Sequence, residues 1–313
     1  HPQHRRQRQM CIRDRRISAT FDETQIKAFS LNFDKKLLRH IEKLKSPDKR
    51  IKKAMLYFAK TGGKRIRPFL LHYMGSFLNI KPSLLDDFAL SIECVHLHSL
   101  IHDDLPSMDN DDYRRGRLTV HKKFDEATAV LAGDMFQVLS VKTLAESKYL
   151  TASQKVNSIQ MLSKANGMEG LIAGQSLDIY MKKNSTIKQI EEMYLLKTGA
   201  LFSLCFNLLL NVKNLNVSKK RELKIIGNTI GKIFQVTDDM LDRWGNEREV
   251  GKKIKKDSKK ASIAYKLSRI ECTKYLKQIQ NKNYKTMEKF FGTNKEALLY
   301  MSSLVNFIVN RVK

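Results

Sequence analysis

Residues that break regular structure are scarce in this chain of 313 residues, which has 5 prolines and 14 glycines. Cysteine is also scarce: the 4 cysteines are scattered, and no two of them form a CxxC pair. Few breakers and many Leu, Lys, Glu, Gln and Met residues favour helix throughout. The cysteine pattern argues against a disulfide framework or a zinc site and fits a reducing compartment. No run approaches the roughly 18 uninterrupted apolar residues of a membrane span, so we expect no transmembrane segment.

Acidic residues are outnumbered by basic ones, with 32 Asp and Glu against 58 Lys and Arg, which gives a formal net charge of +26. Such an excess favours an anionic partner. Nucleic acid is one candidate, but the basic residues are mostly lysines spread over the whole chain, without a groove-reading motif. We therefore expect phosphorylated small molecules as partners and no nucleic acid, with most lysines on a solvated surface.

The first 16 residues, HPQHRRQRQMCIRDRR, contain neither the apolar core of a secretory signal nor hydrophobic periodicity. We interpret residues 1–16 as a disordered basic extension or an artefact, with a transit peptide as the weaker alternative. Residues 17–313 are expected to form a single domain. Because no sorting signal is recognisable, the predicted location is the cytoplasm.

Apolar residues recur at three- and four-residue spacing from Phe21 onward, which is the periodicity of amphipathic helices. There is no sustained alternation of apolar and polar residues, so strands should be absent or trivial. The stretch LFSLCFNLLL at 201–210 is apolar on all sides, which predicts a helix at the centre of a bundle. The pattern predicts an all-α fold, a single-domain helical bundle, with helices over 23–45, 48–60, 66–79, 83–104, 125–147, 152–166, 168–182, 187–211, 218–243, 258–282 and 294–312.

The run LIHDDLPSMDNDD at 100–112 concentrates aspartates at the end of an apolar segment. Pro106 disfavours further helix, which places Asp103 and Asp104 at a helix C-terminus, the negative end of the helix dipole. Two carboxylates about 6 Å apart repel by roughly 3 kcal/mol at an effective dielectric constant of ~20. We therefore expect a cation to bind beside these aspartates.

A second acidic cluster occurs in FQVTDDMLD at 234–242. Gln235, Asp238, Asp239 and Asp242 are spaced i, i+3, i+4 and i+7, so they form one polar stripe on an otherwise apolar helix. Oxygen ligands without His or Cys suit Mg²⁺, which phosphate groups of a substrate commonly help to coordinate. One such cluster alone would be interpreted as a solvated acidic face, whereas two of them indicate a metal site.

Basic residues accompany both acidic clusters. TGGKRIRP at 61–68 places cations behind a glycine pair that permits close backbone approach. DDYRRG, KTG and GKKIKKDSKK supply further cations, and arginine suits bidentate contact with phosphate. This arrangement predicts metals and cations around phosphate groups, and the basic or polar residues concerned are Lys64, Arg65, Arg67, Arg114, Arg115, Lys197, Thr198, Lys252 and Lys260.

Five segments of the chain together resemble the trans-isoprenyl diphosphate synthases, or polyprenyl synthetases, and most of all the bacterial-type farnesyl and geranylgeranyl diphosphate synthases. The segments are Thr61–Pro68, Glu93–Asp134, Gly174–Asp178, Lys197–Gly199 and Phe234–Asp242. The resemblance extends from about residue 25 to the end of the chain. It implies a homodimer of all-α subunits, each a bundle of the isoprenoid synthase type around a deep central cavity.

The resemblance also implies a role for each motif residue. Three Mg²⁺ ions per active site would be held by Asp103, Asp104, Asp109, Asp238, Asp239 and Asp242. The implied catalytic residues are Asp103, Asp104, Asp109, Lys197, Asp238 and Asp239. Isopentenyl diphosphate would be bound by Lys64, Arg67, His96 and Arg115. The allylic diphosphate would contact Arg114, Lys197, Thr198, Gln235, Lys252 and Lys260, while Gln175 and Asp178 would line the cavity or tie helices together.

The activity implied by the resemblance is Mg²⁺-dependent condensation of isopentenyl diphosphate with dimethylallyl and geranyl diphosphates. The position five residues before the first aspartate, which helps to set product length in the family, is His98, with Ser99 beside it. A medium-sized imidazole there, together with the basic C-terminal residues Asn310–Lys313, favours the C15 product, farnesyl diphosphate. Geranylgeranyl or geranyl diphosphate is the alternative product.

Other classes of protein stay open as alternatives. A class I terpene cyclase would share the fold, but its second metal motif is normally of an Asn/Asp-Ser/Thr-Glu kind, which Asp238-Asp239-x-x-Asp242 does not match. A non-catalytic subunit of a heteromeric prenyl synthase typically lacks one Asp motif, whereas this chain has both. A helical protein that binds nucleic acid remains an alternative on charge alone.

Overall fold

The computed structural model describes residues 21–245 and 261–310, and these are almost entirely helical. The helices, in chain order, are α1 (Glu23–Glu42), α2 (Lys49–Ala59), α3 (Ile66–Phe77), α4 (Pro82–Asp103), α5 (Val120–Lys123), α6 (Glu126–Ala145), α7 (Ala152–Asn166), α8 (Leu171–Tyr180), α9 (Ile187–Tyr194), α10 (Ala200–Val212), α11 (Val217–Trp244), α12 (Ile263–Lys266), α13 (Arg269–Phe291) and α14 (Lys295–Val309). A π-helical turn, Leu195–Gly199, joins α9 to α10. The predicted all-α fold is confirmed.

Side-chain caps define where several helices begin. In a capping box, the N-cap side chain accepts a hydrogen bond from the third helical residue, whose own side chain accepts one from the N-cap backbone. Four helices begin in this way, with the pairs Asp22–Gln25, Thr151–Gln154, Thr186–Gln189 and Ser268–Glu271. These short motifs stop the helices from extending into the preceding turns.

The long helix α4 and the apolar helix α10 lie in the core of the bundle. α4 packs mainly against α6 and also against α3 and α10, and it buries residues on all sides from Leu84 to Ile101. On α10 the residues Leu201, Phe202 and Leu204 to Phe206 are buried, as the all-apolar stretch predicts. The buried hydrophobic cluster extends from Ile26 on α1 to Ile308 on α14. The C-terminal end of α4 is thus supported on several sides.

One helical run, Ile187–Val212, which spans α9, the π-helical turn and α10, has the length and apolar character of a membrane span. Half of its most apolar window is buried within the fold, and α10 packs against α3, α4, α7 and α11. A central helix of a helical bundle has the same composition. The predicted absence of a transmembrane segment therefore stays a prediction.

The predicted helix over 258–282 was wrong. Within the described part of this segment, α12 ends at Lys266 and Leu267 is extended, with φ −108° and ψ 152°. Ser268 then caps α13, which continues to Phe291. The capping box formed by Ser268 and Glu271 is the physical reason for the break. It can be recognised in the sequence as the motif S-x-x-E.

The predicted single helix over 187–211 is also interrupted, by the π-helical turn. A second departure is a two-residue hairpin, in which β1 (Tyr113–Arg114) pairs with β2 (Arg117–Leu118). Its loop residues, Arg115 and Gly116, both have positive φ, the backbone that a tight hairpin of right-handed twist requires. The other predicted helices are present, with ends that differ by a few residues.

Glycines allow α8, the π-helical turn and α11 to pack in direct backbone contact. A Cβ on Gly174 of α8 would lie 2.1 Å from the backbone nitrogen of Lys197. A Cβ on Gly231 of α11 would lie 2.5 Å from the Cα of Gly199. Larger residues at either position would force the helices apart. The π-helical turn is therefore clamped from two sides, and this fixes the position of Lys197.

We predict that Gly174→Ala destabilises the protein because its methyl group would overlap backbone atoms of the π-helical turn. Overpacking of this kind costs about 1–3 kcal/mol, which should appear as a lower free energy of unfolding in urea. Gly199→Ala is the matched control, since its Cβ would meet side-chain atoms no closer than 3.5 Å. Equal stability of the two variants would contradict this account of the packing.

Candidate active site

The acidic run after α4 folds back onto the end of the helix. α4 ends at Asp103, as predicted, with Asp104 as its C-cap. The backbone N–H of Asp109 donates to the carbonyl oxygen of Asp103 at 2.9 Å, and that of Asp111 donates to the carbonyl oxygen of Asp104 at 3.2 Å. These two bonds bring Asp109 next to Asp103, although six positions separate them in sequence.

Asp103 lies in an environment that opposes its ionisation. Desolvation raises its pKa to about 6, the nearby charges of Asp109 and Asp104 act in the same direction, and Lys197 and Arg114 partly offset this. The mutual repulsion expected from the sequence is therefore present at this end of α4. A cation bound here would stabilise the ionised form.

Asp104 and Arg114 form an ion pair with each other. Asp104 is fully buried, and the Nε of Arg114 donates to both of its carboxylate oxygens, at 2.7 and 2.9 Å. The Nη2 of Arg114 lies 2.6 Å from Oδ1 of the same carboxylate. Because desolvation of a single charge is costly, each of the two stabilises the other. The family resemblance implies contact with metal for Asp104 and with diphosphate for Arg114, and in this structure the two side chains also contact each other.

The second acidic cluster lies along α11, within a chain of hydrogen bonds. Asp239 accepts hydrogen bonds from the hydroxyl of Tyr194 and from the amide of Gln235, the latter at 2.9 Å. The hydroxyl of Thr198 donates to Oε1 of Gln235 at 2.5 Å. Asp242 is buried, and the Tyr265 hydroxyl lies 3.4 Å from its Oδ2. The network couples the acids of α11 to the π-helical turn.

Lys197 interacts with acids on two helices, α8 and α4. Its Nζ lies 2.7 Å from Oδ2 of Asp178 on α8, and its charge also lowers the pKa of Asp103 on α4. Asp178 and Gln175 are both buried on α8. Of the two roles that the family resemblance implies for Asp178, this contact supports the tying together of helices.

The predicted basic residues gather around His96, about two helical turns before Asp103 on α4. Arg115 donates a hydrogen bond to the carbonyl oxygen of Gly62, and a Cβ on Gly63 would lie 2.8 Å from the Arg115 guanidinium. Desolvation, followed by the charges of Arg67 and Arg115, holds the pKa of His96 well below its ordinary value. His96 therefore interacts electrostatically with Arg67 and Arg115, two of the other three residues that the resemblance assigns to isopentenyl diphosphate.

The fourth of these residues, Lys64, and its neighbour Arg67 contact aromatic rings. The Nζ of Lys64 lies 5.6 Å from the centroid of the Phe307 ring. The guanidinium of Arg67 lies 4.5 Å from the centroid of the Phe202 ring on α10. Such cation–π contacts hold long side chains in place without neutralising them.

The predicted chain-length residues, His98 and Ser99, are both buried in α4. The Nδ1 of His98 lies 3.1 Å from the carbonyl oxygen of Gly133 on α6, and its ring contacts that of His102 edge-on, with centroids 4.5 Å apart. Desolvation lowers the pKa of His98 to about 4, so the ring is neutral near pH 7. The Ser99 hydroxyl donates to the carbonyl oxygen of His96.

The donor set suits a hard divalent cation. Carboxylate oxygens are the ligands that Mg²⁺ prefers, and the raised pKa of Asp103 marks a group that gains from such a cation. Within residues 21–245 and 261–310, no three His, Cys, Asp or Glu side chains are already arranged as a metal site. Lys252 and Lys260, two of the predicted diphosphate ligands, lie outside the described residues.

The family model for polyprenyl synthetases matches residues 48–300. The chain belongs to this family. A farnesyl diphosphate synthase of Micrococcus luteus is 36% identical over 271 residues, covering 84% of this chain and 90% of that protein. The predicted family is thereby confirmed.

Solved structures give the same result for the fold of this polyprenyl synthetase. A geranyltransferase from Legionella pneumophila has a TM-score of 0.81 and 33% identity, covering 92% of this chain and 97% of that one. A geranyltransferase from Helicobacter pylori, solved with magnesium and isoprenyl diphosphate, has a TM-score of 0.77 and 29% identity over 90% of this chain and 97% of that one.

Two groups of contacts at the polyprenyl synthetase site were missed from the sequence: those of Tyr194, and the buried ion pair of Arg65, which the sequence predicted to be one of the cations around phosphate. Tyr194 links Asp239 to the backbone N–H of Ile263, which donates to its hydroxyl at 2.9 Å. Arg65 is fully buried and paired with Glu93 of α4. The signal for the second group was an acid inside the apolar stretch SIECVHL, since a buried carboxylate needs a partner.

Proposed function

We propose that this polyprenyl synthetase is a farnesyl diphosphate synthase, a trans-prenyltransferase that condenses isopentenyl diphosphate with dimethylallyl and then geranyl diphosphate. The observation that carries the proposal is the gathering of Arg67, His96 and Arg115 on one side of α4, with Asp103, Asp109 and Lys197 at its C-terminal end. The first, basic group suits a diphosphate that is bound directly. The second group, two acids with a lysine, suits a second diphosphate that is bound through metal. The farnesyl diphosphate synthase relative supports the same activity.

In this proposal, isopentenyl diphosphate binds to the cations beside the glycine pair. Lys64, Arg67 and Arg115 supply positive charge, and neutral His96 supplies a ring N–H donor. The contact between Arg115 and the Gly62 carbonyl oxygen supports this grouping, because it holds the guanidinium against the loop. This binding orients isopentenyl diphosphate with its double bond towards the allylic substrate.

The allylic diphosphate binds between the two acidic clusters. Asp103, Asp109 and Asp238, with the neighbouring acids Asp104, Asp239 and Asp242, would hold Mg²⁺, three ions in all, which would neutralise charge on the leaving diphosphate. Lys197, Thr198, Gln235 and Arg114, with Lys252 and Lys260, contact the diphosphate oxygens. The hydrogen bonds of Thr198 and Lys197 support this, because they fix both side chains at the junction of α8 and α11.

The reaction needs no side-chain nucleophile. The allylic C–O bond breaks, the double bond of isopentenyl diphosphate attacks the resulting carbocation, and a proton is lost to the departed diphosphate. Apolar surroundings exclude water, which would otherwise capture the cation. The residues of the site therefore act by binding, by orientation and by stabilising charge.

The alternatives predict different outcomes in one assay. A non-catalytic subunit of a heteromeric synthase would bind substrates without turnover, and a terpene cyclase would release cyclic hydrocarbon. A nucleic-acid-binding protein would show salt-dependent binding without turnover. The presence of both Asp motifs favours the synthase, and a cytoplasmic location stays a prediction.

The decisive experiment is incubation of the purified protein with Mg²⁺, isopentenyl diphosphate and dimethylallyl or geranyl diphosphate, followed by analysis of the dephosphorylated products. We expect farnesol as the main product and no product in excess EDTA. Asp103→Asn should lower kcat by about a hundredfold or more, because a carboxylate acting through metal is lost.

Glu146→Gln is the control for this experiment, since the Glu146 side chain is exposed and forms an i,i+4 ion pair with Lys142 at the end of α6. Its kcat should match that of the unmodified protein. Folded protein that releases no prenyl alcohol longer than C5 would refute the proposed function.

Product length is proposed to depend on His98 and Ser99, which lie about 1.4 and 1.1 helical turns before Asp103 on α4. His98→Ala removes a buried ring, so we predict longer products, with geranylgeraniol appearing beside farnesol after dephosphorylation. Chain-length analysis by gas chromatography measures the change. His102→Ala, which removes the adjoining ring, is the control, and an unchanged distribution in His98→Ala would reject the role of His98.

The protein is further proposed to be a homodimer. Val130, Leu131, Val138 and Val141 on α6 are all more than a third exposed, and their spacing places them along one side of the helix. Such a stripe is typical of a surface that another chain covers. Light scattering should give a mass twice the chain mass of 36.3 kDa. Val138→Lys should reduce the measured mass, whereas Val217→Lys, elsewhere on the surface, should leave it unchanged. A single-chain mass for the unmodified protein would contradict the proposal.

A further inference from the structure

We propose that Arg65, held between Glu93 and Asp34, is a positioning residue that fixes the loop Thr61–Pro68 in the shape required to bind isopentenyl diphosphate. The inference rests on the proposed function, since it concerns the same diphosphate site. Arg65 lies between Lys64 and Arg67, which are assigned to the ligand, but its own role is different.

Arg65 directs all of its described contacts into the protein. Its side chain is 0% exposed, its Nε donates to Oδ1 of Asp34 at 2.7 Å, and its Nη1 donates to Oε1 of Glu93 at 2.5 Å. Its Nη2 donates to the carbonyl oxygen of Ala59 at 3.1 Å. These partners lie on α1, α4 and α2, so one guanidinium ties three helices together beneath the loop.

The backbone of Arg65 has a conformation that L-residues rarely adopt. Its φ is 45° and its ψ is 41°, at the N-cap of α3, where no side chain supplies a capping bond. Such a conformation persists only where the surrounding structure holds it. The hydrogen bonds of the guanidinium provide that hold, together with the bond from the Ser30 hydroxyl to the Lys64 carbonyl oxygen at 3.1 Å.

The left-handed backbone at Arg65 directs its side chain into the protein and those of Lys64 and Arg67 elsewhere. A residue in the left-handed region reverses the chain locally, so the side chains before and after it leave in different directions. Lys64 reaches the Phe307 ring and Arg67 the Phe202 ring. If the ion pairs were lost, the loop could relax to an ordinary backbone, and Lys64 and Arg67 would lose these positions.

The two carboxylates also balance the charge of the pocket. The charge of Arg65 lowers the pKa of the nearby Arg115, after desolvation, whereas Glu93 and Asp34 act in the opposite direction. Neutralising Glu93 would therefore make the pocket more positive. The more positive electrostatic potential by itself would strengthen diphosphate binding, whereas loss of positioning would weaken it. Glu93→Gln therefore distinguishes the two effects, because they change the affinity in opposite directions.

The effect should be specific to one substrate. The described partners of the Arg65 side chain are on α1, α2 and α4, whereas Lys197, Thr198 and Gln235, proposed for the allylic diphosphate, belong to the π-helical turn and α11. No described hydrogen bond joins Arg65, Asp34 or Glu93 to these three residues. A positioning role thus predicts a change in the KM for isopentenyl diphosphate, with the KM for geranyl diphosphate unchanged.

The test measures both KM values and kcat for Arg65→Lys, Glu93→Gln and Asp34→Asn in the full chain with Mg²⁺. Arg65→Lys keeps the charge but cannot reach three partners, so we expect its KM for isopentenyl diphosphate to rise about tenfold or more, with kcat within about threefold. Glu93→Gln should raise the same KM, despite the more positive pocket. Asp34→Asn, which removes the negative charge of one ion pair and is the mildest change, should raise it about two- to fivefold and remains measurable if the other variants fail to fold.

Lys36→Met is the matched control, because Lys36 and Asp86 also form an ion pair, at 2.6 Å, between α1 and α4, away from the loop. It should lower thermal stability without altering either KM. Equal rises in both KM values, or an unchanged KM for isopentenyl diphosphate in all folded variants, would overturn the proposal. A lower KM in Glu93→Gln would also overturn it, since that is the result expected from the electrostatic potential alone.

Calorimetric titration of isopentenyl diphosphate without Mg²⁺ separates this inference from the proposed function. If the unmodified protein binds isopentenyl diphosphate but forms no product, the proposed function fails. In that case, weaker binding by Arg65→Lys and Glu93→Gln than by Lys36→Met would still support the positioning role, and equal binding would refute it.

Discussion

The structure depends on the placement of buried charges, each of which must find a partner of opposite sign. Arg65 with Glu93, Arg114 with Asp104 and Lys197 with Asp178 are three pairs at the site, of which the first is fully buried and the other two are partly exposed. Because a lone buried charge would cost several kcal/mol, these pairs determine which loops and helix ends can meet. In the proposed function, a metal–diphosphate complex lies beside Asp103 and Asp109, and a second diphosphate lies beside Arg67 and Arg115.

Helix packing brings these charges together. Gly174 and Gly231 let α8 and α11 contact the π-helical turn directly, so Lys197 and Thr198 lie where three elements meet. A π-helical turn shifts the residues after it relative to a regular α-helix, and such turns are frequent at functional sites. The glycine contacts fix the π-helical turn, which is proposed to bind the allylic diphosphate. The Arg65 ion pairs fix the loop Thr61–Pro68, which is proposed to bind isopentenyl diphosphate.

Much of this could be predicted from the sequence, and the remainder has identifiable physical reasons. The two Asp motifs, the glycine pair and the apolar stretch at 201–210 have fixed spacings that determine a helix face or a turn. The break at Ser268 was also legible, as a capping box. By contrast, Arg65 and Arg67 are chemically identical, and which of them is paired inside depends on a positive φ that no local pattern specifies. Asp104 meets Arg114 for a similar reason, since the hairpin that carries Arg114 is set by Arg115 and Gly116.

The acids at the end of α4 and on α11 are proposed to face a common gap that cations and a diphosphate fill. A crystal structure of the full chain with Mn²⁺ and inorganic pyrophosphate tests it most directly, because Mn²⁺ gives an anomalous signal. The account predicts anomalous peaks within coordination distance of Asp103, Asp109 and Asp238, with the pyrophosphate beside Lys197. Asp103 and Asp238 directed away from each other, with no anomalous peak between them in a crystal that holds pyrophosphate, would contradict it.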